Sequence, residues 1–501
     1  DALDGFGTLK GFIGVQGPSG ATPSILGSFT LYNFAAGFTV QGLVITSNTS
    51  DPGLKFVTTK GTIKIIDTEL SGSTEEGLRI EDHKGAVELN RVSVHDNDKA
   101  GIFIDNCNKV VDSCGYVGTV KITNSTSFNN GLIATPAEGL YIISGGAITL
   151  NGVSAFGNNG TGLKANSYGS LTIKNSAFQN NRANIVNDYS LSRGFGIRTA
   201  DDSRGNILLE NVLVQGNGKS GMWLYTNTGS ITLKKVQAIG NGLDTNNPER
   251  RYGVEIGDHD ALYPAKKEGA LNVTISDSLF TGNYSDNLRI HAKGAVILTN
   301  VLAIESETGF GVYIVNTYNN SLAPVMVVNS TFNLNKKSGL QILSNGVVTL
   351  NTFTASWNGE YGLLVNNTNS AARPVGITLL STYGINRIQN NPLSTSTITK
   401  GAAFITLGNL TINNLEVFGH KEYGVSAQAY GSIIWKGGGA WDNTRKLSSG
   451  DMDTGGASLV VLGDYVKPVI VTNARFDQNT NGVGLYVFTQ GPVTLTNISA
   501  N

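Results

Sequence analysis

Residues suited to saccharide chemistry recur at one position of a short repeated strand: Tyr141, Arg198, Trp223, Glu255, Arg289 and Tyr313, with Tyr225 and His291 two residues further along their own strands. Aromatic rings stack on the apolar faces of sugars, and guanidinium forks pair with carboxylates, so this set is what a binding face for an acidic glycan needs. Hydrolysis of a glycosidic bond asks for more. It takes two carboxyl groups, about 5 to 5.5 Å apart for retention or about 6.5 to 9.5 Å for inversion, and Asp201 and Asp202 with Glu255 or Asp258 are the residues to fill those roles. The plainer reading also stands: aromatics and long side chains favour the surface of a sheet whatever its task.

Other chemistries have thinner support. Asp96-Asn97-Asp98, Asp258-His259-Asp260 and Asp451-Met452-Asp453 each offer oxygen ligands, so Ca²⁺ is the one ion these turns would suit. Turn carboxylates are ordinarily just solvated, and there is no Gly-Gly-x-Gly-x-Asp repeat of a calcium roll, so no resident cofactor is expected. His83, His95, His259, His291 and His420 lie far apart and have no Ser or Cys partner in a motif, which argues against a nucleophilic triad.

These residues sit in a chain built on repetition. Gly205 to Asn227 reads as three short alternating runs separated by Gly and Asn, too short and too strictly alternating for a helix. The pattern recurs from Gly146 and Gly294, and rungs are expected to start near Gly37, Gly61, Gly85, Gly118, Gly146, Gly169, Gly205, Gly229, Gly269, Gly294, Pro324, Gly346, Pro374, Gly408, Gly431, Pro468 and Gly491. A unit of about two dozen residues marks a solenoid, in which length counts rungs rather than domains. Alternation places Ile207, Leu209, Val212, Val214, Met222 and Leu224 inside.

Asn ends the first run at 90, 124, 151, 175, 211, 300, 329, 351, 414, 473 and 497, and recurs six or seven residues later at 97, 130, 158, 181, 217, 335, 358 and 479. Asn tolerates left-handed backbone, and stacked amides can bond to one another, so both columns are expected to be corner ladders. Insertions at 181–194, 242–251, 316–323, 366–373 and 442–455 border the strand that carries the aromatic column. Loops repeated on one side of a repeat protein commonly frame its working surface.

A formal net charge of -1 leaves no basic footprint for nucleic acid, and no apolar run is long enough to span a bilayer. Cys107 and Cys114 form either a local disulfide in an oxidising compartment or two free thiols in a turn. Residues 1–36 read as an irregular cap or link, and 37–501 as one continuous body. The last unit stops at Asn501 part-way through a rung; an open parallel edge invites pairing, so chain continuation or end-to-end self-association is expected.

Three short strands per rung, Asn at the turns and variable loops on one side resemble the right-handed parallel β-helix of pectin-lyase-like proteins, from Gly37 onward. The resemblance implies an all-β solenoid. It does not fix a function, because that family holds polysaccharide lyases, glycoside hydrolases, phage tailspikes and non-enzymatic adhesins. A lyase of this kind uses Arg or Lys as base beside a uronate whose carboxylate is neutralised, and Arg198 or Arg289 would take those roles. Asp201-Asp202 resembles part of a polygalacturonase site, yet no Asn-Thr-Asp, Gly-His-Gly, Arg-Ile-Lys, Trp-Ile-Asp-His or Asp-Pro-His-Glu motif is present. The expectation is therefore an extracellular or cell-surface structural or adhesive segment, with a polysaccharide as its partner. The alternative is a carbohydrate-active enzyme.

Overall fold

The computed structural model describes residues 13–16, 24–107, 109–110, 113–131, 137–182, 193–199, 203–244, 250–257, 270–318, 321–368, 375–389, 400–443, 455–480 and 482–500. The chain divides into two compact units, residues 1–255 and 256–501. Both are built from parallel strands stacked in register, with no helix among the described residues long and apolar enough to cross a membrane. This is a right-handed parallel β-helix solenoid, all-β as expected.

Two of the three expected strands of a rung run together. Ile63–Ser71, Val87–His95, Leu171–Gln179, Val273–Thr281 and Leu410–Phe418 are nine-residue strands in which the first, third, sixth and eighth residues are buried. A straight strand would bury alternate residues throughout. The phase slips by one at the fifth residue, which has left-handed backbone: φ is 51° at Asp67, 54° at Arg91, 49° at Asn175, 52° at Asp277 and 45° at Asn414. One bend thus turns the chain while keeping both arms facing inward. Asn is frequent there because its short polar side chain tolerates this conformation.

Register carries the interior from rung to rung. In the first unit Ile207 lies between Leu171 and Ile231, and in the second Val296 lies between Val273 and Val325. Ile207, Leu209, Val212, Val214, Met222 and Leu224 are all 2% exposed or less. Each such side chain contributes about 1.5 to 3 kcal/mol on leaving water, which is what holds the stack together. Parallel pairing also reaches N-terminal to Gly37. Ile13–Gln16 pairs with Phe38–Gln41, Ser24–Leu26 with Val44–Thr46, and Phe29–Tyr32 with Leu54–Val57.

Both Asn columns form ladders, of different kinds. At the bends, Asn211 Nδ2 donates to Asn175 Oδ1 and Asn175 Nδ2 to Asn151 Oδ1, each at 2.9 Å and exposed. The second column is buried. In the first unit the amides pass from Asn97 to Asn130, Asn158, Asn181, Asn217 and Asn241 at 2.8, 2.9, 2.9, 3.1 and 2.9 Å. In the second, Asn283 donates to Asn287, Asn287 to Asn335 and Asn335 to Asn358. There the rung ending at Ile304 offers Ser306 where Asn is usual, and Asn287 fills the gap by donating to the Ile304 carbonyl and to Asn335.

The question left open at the cysteines resolves as a disulfide. Cys107 and Cys114 are bonded with their Cα atoms 4.7 Å apart, across the antiparallel pair Lys109–Val110 and Ser113–Cys114.

Candidate functional site

The column that drew attention in the sequence is real in the first unit. Register places Lys55, Arg79, Phe103, Tyr141, Lys164, Arg198 and Trp223 on successive rungs at equivalent positions. All lie on the strand between the buried Asn corner and the next turn, on the side away from the core.

Its two ends differ. At Trp223 the expected open face is closed: Trp223 and Tyr225 are each 4% exposed, and Glu255 is 1% exposed. The Arg250 guanidinium lies 3.7 Å from the Trp223 ring centroid, Arg198 lies 4.6 Å from it, and the Phe195 ring is 5.8 Å away. Arg250 Nη1 also donates to a Glu255 carboxylate oxygen at 3.1 Å. Tyr225 donates its hydroxyl to Asn227 and its backbone N–H to the Thr199 hydroxyl. Strand parity had placed these side chains outward, but Arg250, at the described end of an insertion, folds back over them. A sugar ring finds no bare indole here, and Glu255 is committed to an ion pair.

Toward the N-terminus the same column is half-buried and reachable. Phe103 and Tyr141 meet edge to face with centroids 5.4 Å apart. Arg79 lies over Phe103 at 4.9 Å, and Lys164 over Tyr141 at 4.1 Å. Glu76 and Glu81 accept from Arg79 at 3.0 and 2.8 Å, Lys55 approaches Glu81 at 3.6 Å, and Lys164 approaches Glu138 at 3.9 Å. Burial disfavours the Arg79 charge, but the bonds to Glu81 and Glu76 prevail and hold its pKa above the ordinary arginine value. Arg79 is therefore a fixed cation, unsuited to act as a base.

In the second unit Arg289 and Tyr313 are register neighbours, and the Arg289 guanidinium lies 5.2 Å from the Tyr313 centroid. Arg289 Nε donates to Asp286 at 2.7 Å, and Asp286 is 1% exposed. The pairing holds the Arg289 guanidinium beside a buried carboxylate. His291, 1% exposed, bonds through Nδ1 to the Tyr318 hydroxyl at 2.8 Å. Burial pushes the Tyr313 phenol above its ordinary value.

Of the other sequence candidates, Asp201, Asp202, Asp258, His259, Asp260, Asp451, Met452 and Asp453 lie outside the described residues. Among the described residues no group of His, Cys, Asp and Glu side chains is arranged to hold a metal ion. Asn97, central to the 96–98 cluster, spends its side chain in the buried ladder.

One feature escaped sequence reasoning. In the second unit a cleft of about 580 Å³ is lined by Leu407, Gly408, Asn409, Tyr430, Gly431, Tyr465 and Lys467. Tyr430 follows the strand Val425–Ala429 and Tyr465 follows Ala457–Val461, so both stand at the corner after the column-bearing strand. The available signal was the run Gly463-Asp464-Tyr465-Val466-Lys467, where neighbouring rungs turn more tightly.

Comparison with known proteins bears on the fold. No curated protein matches the sequence. Among solved structures, that of pectate lyase Pel9A aligns at 13% identity with a TM-score of 0.34, covering 62% of this chain and 70% of that one. Residues 52–300 match the family described as right handed beta helix region. With the parallel register, the bent nine-residue strands and the corner ladders, that match agrees with the right-handed parallel β-helix fold of the chain.

Proposed function

We propose that this β-helix is an adhesive scaffold of a surface or extracellular protein, which holds an acidic polysaccharide along the Arg79 to Lys164 column without cleaving it. The observation that carries the reading is the contrast within one column. Phe103 and Tyr141 stay partly exposed between Arg79 and Lys164, whereas Trp223, Tyr225 and Glu255 are sealed. Rungs about 4.8 Å apart advance on a scale comparable to one pyranose, so a glycan lying along the stack would meet a ring or a cation at each step. The disulfide supports an oxidising compartment, where such bonds persist.

The test pairs binding with turnover. A uronic-acid oligosaccharide titrated into the full chain should bind, with affinity falling about tenfold in Tyr141→Ala, the equivalent of one lost stacking or cation contact. No shortened or unsaturated product should form. Product formation, or binding indifferent to Tyr141, would overturn the proposal.

A further inference from the structure

We infer that the cleft between Tyr430 and Tyr465 is a second saccharide subsite, selective for a sugar carrying a carboxylate. It rests on residues of the second unit alone and stands apart from the Phe103 to Tyr141 column. The two tyrosines are 38% and 53% exposed, large apolar surfaces for side chains free to fold down. Their rings are 6.4 Å apart and inclined at 69°, so together they make two walls of a corner rather than one stacked pair. A pyranose laid on one ring meets the edge of the other.

The corner is held from behind. The Tyr430 backbone N–H donates to the Thr406 carbonyl at 3.1 Å, and that of Gly431 to Gly408 at 3.0 Å. Gly431 is pressed against its neighbour: a Cβ there would lie 2.4 Å from Asn409 Oδ1 and 2.6 Å from Gly408 carbon, so the floor is bare backbone. Gly463, at φ 74°, backs both rings, since a Cβ on it would sit 3.3 Å from Tyr465 and 3.6 Å from Tyr430. Lys467 N–H donates to the Tyr465 carbonyl at 2.9 Å, which closes the turn that presents both side chains.

Charge and hydrogen bonding choose the ligand. Lys467 lines the cleft and its ammonium has no ion pair among the described residues. Asn409 Oδ1 accepts from the Ser432 N–H at 2.9 Å, which fixes the amide and leaves Nδ2 as a donor for a ligand. Two aromatic faces, one cation and one amide donor within a cleft of sugar size match a uronate residue: the ring stacks, the carboxylate meets Lys467, and a hydroxyl accepts from Asn409.

The experiment uses the full chain carrying Tyr141→Ala, so that the column proposed above is already weakened. A galacturonate tetrasaccharide and a neutral galactose tetrasaccharide are titrated by calorimetry. The uronate should bind at one equivalent, the neutral sugar about tenfold more weakly, and Tyr465→Ala and Lys467→Ala should each weaken uronate binding by about tenfold. Both positions are exposed, so the variants should fold, which circular dichroism checks. Absence of uronate binding in the Tyr141→Ala chain, or binding that ignores both substitutions, overturns the subsite and leaves the column untouched. If Lys467→Ala changes nothing while Tyr465→Ala does, selectivity for the carboxylate is refuted.

Discussion

The Arg250 guanidinium lies 3.7 Å from the centre of the Trp223 ring and is part of the roof that leaves the indole 4% exposed. The same guanidinium reaches the Glu255 carboxylate, whose side chain is 2% exposed. Trp223 and Glu255, whose types suggested a saccharide site, are thereby joined with Arg250 in one sealed packing unit.

Glu255→Gln separates the structural reading from the catalytic one. Removing the negative charge leaves Arg250 buried without it, and breaking a buried pair from one side costs about 3 to 5 kcal/mol. Urea unfolding should show a loss of that order, with glycan binding at Tyr141 unchanged. Abolished turnover at unchanged stability would make Glu255 a catalytic acid.

The two Asn ladders should differ in energetic weight. Asn158 Nδ2 donates to Ser127 O and Asn181 Oδ1, and its Oδ1 accepts from the Asn130 amide, all in the interior. Asn158→Ala strands those partners, and each unsatisfied buried group costs about 1 to 3 kcal/mol, so a loss of about 3 kcal/mol is expected. At the exposed bend, Asn175→Ala should cost only about 1 kcal/mol, the strain of left-handed backbone in a residue without the short polar side chain that eases it. Asn175→Gly should cost less still. Equal losses at 158 and 175 in denaturant titrations would refute the distinction.

The disulfide clasps a short hairpin. For a loop as short as Cys107 to Cys114, chain entropy puts its contribution at about 2.5 kcal/mol. Reduction, or Cys107→Ser with Cys114→Ser, should lower the unfolding free energy by up to that amount while leaving the rungs intact by circular dichroism. A loss of all sheet signal would show that the hairpin nucleates the stack.

The interior was legible because period-two alternation broken by Asn or Asp is a local signal. Ile207, Leu209, Val212 and Val214 can be assigned without knowing anything distant, and Asn211 marks where the phase slips. Strand parity likewise put Trp223 and Glu255 on the side away from the core. What covers that side is not local. Arg250 arrives from beyond a loop, and nothing in the spacing of Trp223 announces it. The ladder showed the same limit: Asn241, Asn283 and Asn443 occupy the expected corner but lack an Asn at the preceding bend, and Asn287 enters from an adjacent turn. Tyr430 and Tyr465 are one rung apart in space and thirty-five positions apart in sequence, so their corner could not be read from either alone.

His420 stands at a ladder position, two residues past the strand end at Phe418 as Asn443 is past Trp441. Its backbone N–H donates to Asn443 Oδ1 at 3.0 Å, as an Asn there would, but the ring adds a titratable group to a buried column. Burial lowers its pKa from 6.5 to about 4, the Ile388 carbonyl opposing only in part. The unfolded chain therefore takes up a proton near pH 6.5 that the folded chain refuses until about pH 4. Between those values the unfolded state binds more protons, so stability rises with pH and falls as the solution is acidified. The stabilisation is fully present above pH 6.5, and on the order of 3 kcal/mol is lost by pH 4. His420→Asn should remove this share of the acid sensitivity while its amide continues the ladder toward Asn443. Unfolding free energies measured from pH 4 to pH 8 should converge within about 1 kcal/mol at the alkaline end and separate below pH 6, the variant becoming the more stable. A residual slope will remain, because burial also lowers the pKa of His83. Parallel curves for the two proteins would mean that His420 takes up its proton at the same pH in the folded and the unfolded chain.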